Sequence, residues 1–216
     1  MPLAWIRRLL RPARTPIRTP RELADFMAAQ AAFVSQKATI DYLRARAGLA
    51  WARLFEEPDF RAALDYCRWE AYAAVLQDVA ELAAILLRRG GAPHGPLPRF
   101  LADVVEAALA LYPVPAHRDD WSDVVRGTEE LVRRSLLGPP RPVGEVGLRS
   151  AGRIFPVMPI WTNLADADRD FVENSIRFLL VGVYVEMERR TDVPALVRRL
   201  GEAEPTAGGN SVEASP

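Results

Sequence analysis

Residues 19–55 read TPRELADFMAAQAAFVSQKATIDYLRARAGLAWARLF, and this stretch decides the fold class. Thr19 at the N-cap, Pro20 at the first helical position and Glu22 at the third form a capping box. The threonine hydroxyl can accept from a first-turn N–H and the glutamate from the N-cap N–H, while proline loses only a donor that has no helical partner. Phe26, Phe33, Ile40, Ala47 and Leu54 then recur every seventh residue, and Leu23, Met27, Val34, Leu43, Trp51 and Phe55 widen that line into an apolar face. No proline intervenes before Pro58. The reading is one long helix over 19–55, the spine of an all-α domain.

Working outward, Glu57-Pro58-Asp59 ends the spine and starts a second helix, Pro58 to Arg89. It is apolar on most sides, so it is either buried centrally or covered by a partner. The short break between the two rods implies an antiparallel hairpin. Helical patterns follow over Pro98 to Leu111, Trp121 to Leu137, Ala167 to Arg190 and Val193 to Leu200. Between them, Gly138 to Trp161 holds Pro139, Pro140, Pro142, Pro156 and Pro159 and reads as irregular, with room for a short strand pair. The expected architecture is a single-domain helical bundle of five to six helices over 19–200. A basic arm, 1–18, precedes it, and a small, polar tail, 201–216, expected to be disordered, follows.

Composition excludes several classes. Lys+Arg and Asp+Glu are both 28, so nothing favours nucleic acid as a partner. Cys67 is the single cysteine and His94 and His117 the only histidines, which removes disulfides and Cys/His zinc motifs and suits a cytoplasmic setting. No apolar run reaches the roughly 18 residues of a membrane span. In the arm, Arg7, Arg8, Arg11 and Arg14 accompany Leu3, Ile6 and Leu10. Such a segment can lie on an anionic membrane surface, each Arg adding about 1 kcal/mol, or dock on the domain's own core.

Several groups invite chemistry. Lys37 lies four residues before Asp41, and with Glu70 the two could line a small-molecule pocket. Asp119, Asp120 and Asp123 match D-D-x-x-D, which resembles the aspartate-rich motif of prenyl-diphosphate synthases; that resemblance implies Mg²⁺ held against a diphosphate. Asp166, Asp168 and Asp170 alternate as in an EF-hand, but Phe171 stands where Gly is needed and Arg177 where Glu is needed. The stretch SAGRIFPVMPIWTN, 150–163, offers Arg153, Phe155, Trp161 and Asn163 as a pocket rim or partner patch. No nucleotide-binding loop or G-x-S-x-G elbow is present, and no cofactor is expected. The stretches Phe33-Val34-Ser35-Gln36-Lys37, Cys67-Arg68-Trp69-Glu70 and Arg153-Ile154-Phe155 resemble an uncharacterised all-helical bacterial family, some of whose members carry an esterase label.

The functional expectation is a non-enzymatic interaction module, an adaptor or assembly factor, drawn to membranes by its arm. It would engage another protein or a second copy through the second helix or the 150–163 segment. The alternative is a helical enzyme or carrier for an isoprenoid or other lipid, with a deep apolar cavity and Asp119, Asp120 and Asp123 at its mouth.

Overall fold

Thr19 Oγ1 accepts from Glu22 N at 3.2 Å, and Glu22 Oε2 accepts from Thr19 N at 2.9 Å and Arg18 N at 2.7 Å. From that cap α1 runs Pro20–Ala47 in the computed structural model, which describes residues 15–146, 148–159 and 166–202. Gly48 then takes a φ of 52°, a left-handed conformation that side chains rarely adopt, and its N–H closes the helix on Arg44 O. A 3₁₀ turn, Gly48–Ala50, and a one-turn helix, α2 (Trp51–Leu54), follow. The expected spine over 19–55 is therefore broken at Gly48.

The buried face of α1 also differs from the sevenfold line. Phe33 is 53% exposed, whereas Leu23, Met27, Ala31, Val34, Ala38 and Tyr42 are buried. Their spacing is four, four, three, four and four. Ala24, Ala31 and Ala38, also seven apart, stay buried, so the core side of α1 is centred on the alanine line and the phenylalanine line runs along its edge, where Phe26 is covered and Phe33 is not. Alanines along the buried line let the neighbouring helix approach closely.

That neighbour is α3 (Pro58–Arg89), in which every residue from Ala71 to Leu87 is buried. It packs against α1, α4 (Leu97–Leu109), α5 (Ser122–Ser135), α6 (Leu148–Ile154) and α7 (Asp166–Arg190). Over Ala71–Leu87 the apolar sides of the second helix are taken up by the bundle, which counts against a partner surface there; Tyr66, in its first half, is 43% exposed. The Pro-rich segment is also more regular than expected. It contains a 3₁₀ turn at Val143–Glu145, α6, and a second turn at Phe155–Val157.

The terminal helix α8 (Val193–Glu202) closes on the end of α3 through Gly90, where a Cβ would lie 2.1 Å from Val193 Cγ1. Ile17 is buried and pairs in parallel with Thr191, its N–H donating to Arg190 O and its carbonyl accepting from Asp192 N, both at 2.9 Å. The end of the basic arm is thus part of the domain, while Arg7, Arg8, Arg11 and Arg14 lie outside the described residues. Helices and 3₁₀ turns take in 78% of the described residues. Among the described residues that one bridge is the sole β-pairing, and no helix is long and apolar enough to cross a membrane.

Candidate functional site

Glu70 projects from α3 toward the connector between α4 and α5. Arg118 grips it with both prongs, Nε to Oε1 at 2.7 Å and Nη2 to Oε2 at 2.8 Å, while its Nη1 donates to Asp123 Oδ1 at 2.9 Å. His117 Nε2 lies 3.1 Å from Glu70 Oε1, and the guanidinium stands 4.4 Å over the Trp121 ring. The Arg118 hydrogen bonds, ahead of His117, hold the Glu70 carboxyl below its ordinary range. A carboxylate so fully engaged is a poor proton acceptor. Its role is a clamp that fixes the connector onto α3.

The clamp also sets the wall of a cleft of about 270 Å³ between α1, α3 and the connector, lined by Ser35, Gln36, Asp65, Arg68, Trp69, Tyr72 and Tyr112. Trp69 and Tyr72 are 6.2 Å apart at 86°, Trp69 and Tyr112 6.1 Å at 66°, and Tyr72 and Tyr112 5.8 Å at 87°. Trp121 backs Trp69 at 6.4 Å. Tyr72 Oη donates to Ala108 O at 3.4 Å, and burial pushes its phenol above the ordinary range.

A second, more polar cleft of about 290 Å³ holds Gln77, Asp78, Asp123, Glu130, Arg134, Ser150 and Arg153. Gln77 Nε2 donates to Val124 O at 3.0 Å and its Oε1 accepts from Arg153 Nη1. Gly127 permits this, because a Cβ there would meet Gln77 Nε2 at 2.8 Å. Deeper along α3, buried Glu81 lies 3.7 Å from Arg141.

The sequence-derived candidates are scattered among these features. Lys37 and Asp41 form a 2.8 Å pair on the solvent side of α1, each about half exposed, and line neither cleft; Glu70 is held by the clamp. Arg153 reaches the polar cleft. Phe155 is buried, 6.3 Å from the Tyr42 ring with the Arg169 guanidinium 5.6 Å over its face. Trp161 and Asn163 lie outside the described residues. Asp120 Oδ1 accepts from Ser122 N at 2.8 Å, as a residue beside a helix start does, and Asp123 is bound by Arg118. Among the described residues no three His, Cys, Asp or Glu side chains are grouped to hold a metal ion.

One surface escaped the sequence reading. On α7 the sequence pattern puts Val172, Ile176, Leu179, Val183 and Met187 on the inward line; Leu179 is half-buried and the other four are buried. Phe171, Phe178, Val181 and Val185 point the other way, 52%, 80%, 40% and 57% exposed. Their sevenfold recurrence at 171, 178 and 185 was the available signal. Gly182 lies beside Val181 with nothing within 4 Å of where its Cβ would be, and Asp170 and Glu188 stand exposed at the two ends. No family model, no curated protein and no solved structure matches the chain.

Proposed function

We propose that this chain is a non-enzymatic helical interaction module, an adaptor or assembly factor, that takes its protein partner or a second copy on the outer face of α7. The observation that carries the reading is the exposed run Phe171, Phe178, Val181 and Val185 on a helix whose opposite side already completes the core. This apolar line, spread over about four turns with Asn174 between Phe171 and Phe178, matches the i, i+7 anchors of helix-mediated recognition. Arg7, Arg8, Arg11 and Arg14 supply the basic arm that would bring such a module to an anionic membrane surface.

The test is the double variant Phe178→Asp/Val185→Asp. Light scattering coupled to size exclusion reads self-association, and quantitative co-purification from the native host reads other partners. Loss of a stoichiometric complex, with the melting transition retained, is the expected result. Complexes that are identical for the parent and the double variant sink the proposal.

A further inference from the structure

We propose that the cleft of Trp69, Tyr72 and Tyr112 binds a small zwitterion carrying a methylated ammonium at one end and a carboxylate or phosphate at the other. The three rings lie 5.8, 6.1 and 6.2 Å apart at 87°, 66° and 86°, and all three border the same space. A ring face that borders a cleft attracts a cation placed within roughly 6 Å of the ring centre. Asp65 adds a negative charge on the cation's side of the balance, and Arg68 adds a forked donor suited to an acid group. Together they favour a ligand with both charges over a simple cation.

The three ring faces favour a methylated ammonium, because they recognise a charge spread over methyl groups, whereas a primary ammonium is held chiefly by hydrogen-bond acceptors. Size limits the class further, because about 270 Å³ falls just under the usual ~300–1,000 Å³ of small-molecule sites. The seat is also pre-organised. Tyr72 is tied to Ala108 O, Trp69 rests on Trp121, and the Arg118–Glu70 clamp holds the connector that carries Tyr112. Rigidity of that kind lowers the ordering cost of binding. The cleft shares no residue with the outer face of α7, so the two proposals fail independently.

Calorimetric titration of the full chain with glycine betaine tests the site. Its carbon isostere 3,3-dimethylbutanoate keeps the shape and the carboxylate but lacks the cation. Betaine is expected to bind at least tenfold tighter than the analogue. Tyr112→Leu, at a residue 42% exposed and tolerant of change, should weaken betaine about tenfold. Arg68→Gln should weaken betaine while leaving tetramethylammonium unchanged. Phosphocholine and phosphatidylcholine vesicles then separate a free ligand from a lipid head group. Equal binding of betaine and its carbon isostere, unchanged affinity in folded Tyr112→Leu, or no binding of any methylated ammonium at about 10 mM overturns the assignment.

Discussion

Replacing Arg118 with methionine keeps the apolar stem against Trp121 and removes the charge that grips Glu70. The Arg118 and Glu70 side chains are 15% and 16% exposed. Breaking a fully buried pair costs about 3–5 kcal/mol, and an exposed one about 0–1 kcal/mol. A pair this sheltered, with His117 left as a residual partner, falls between them at about 2 kcal/mol. For a chain of this size that corresponds to a fall of about 4–8 °C in melting temperature. The pH dependence separates charge from packing. The folded-state pKa of Glu70 lies below its ordinary 4.5, mainly through the Arg118 hydrogen bonds. The clamp's contribution is therefore complete above that ordinary value and is lost as pH falls through the lower, folded one. Urea denaturation of parent and variant should show the full gap at about pH 7 and a closing gap toward about pH 3. A gap under about 0.5 kcal/mol at neutral pH, or one that stays constant on acidification, refutes the clamp.

Two other changes test the packing. Gly90→Ala places a methyl 2.1 Å from Val193 Cγ1, so the small entropic benefit of losing a glycine is outweighed by overpacking of about 1–3 kcal/mol. Adding Val193→Ala should recover most of that loss in a denaturation curve, and no recovery would place the cost elsewhere. Cys67 is fully buried and burial pushes its thiol up to about 12, so a thiol reagent at about pH 8 should label it only as fast as the protein opens. Labelling at the rate of a free thiol would show that α3 is not closed around it.

Local signals carried the helix boundaries because each has a short-range cause. The capping box at Thr19, Pro58 at the first position of α3 and Val193 at the start of α8 all stand where the chain pattern put them. What failed was geometry integrated over distance. Gly48 lies inside an uninterrupted helical pattern, and only its positive φ reveals the break. Phe33 lies on a sevenfold line along the edge of the buried face, and the neighbouring elements decide which of that line's residues are covered. The clefts were illegible for another reason: Glu70 and Arg118 are 48 residues apart, and Gln77 and Arg153 are 76 apart. Nothing in either local pattern announces its partner.

The face of α7 shows how far periodicity alone can go. Its sequence contains two apolar lines, one through Val172, Ile176, Val183 and Met187, rightly read as inward, and one through Phe171, Phe178 and Val185, and pattern does not say whether the second is covered as well. Energetics decides only after the rest of the bundle is in place. With Ala71–Leu87 of α3 already enclosed, one side of α7 suffices to cover the core. The two phenylalanines and two valines left outside each forgo part of the about 1.5–3 kcal/mol that full burial is worth, Phe178 the largest share. Folding does not draw on that reserve, so substitutions there should leave stability within about 0.5 kcal/mol while abolishing any association that does. A residue that matters to binding and not to folding is the signature expected of a docking surface, and Phe178 is the position at which the two can be told apart.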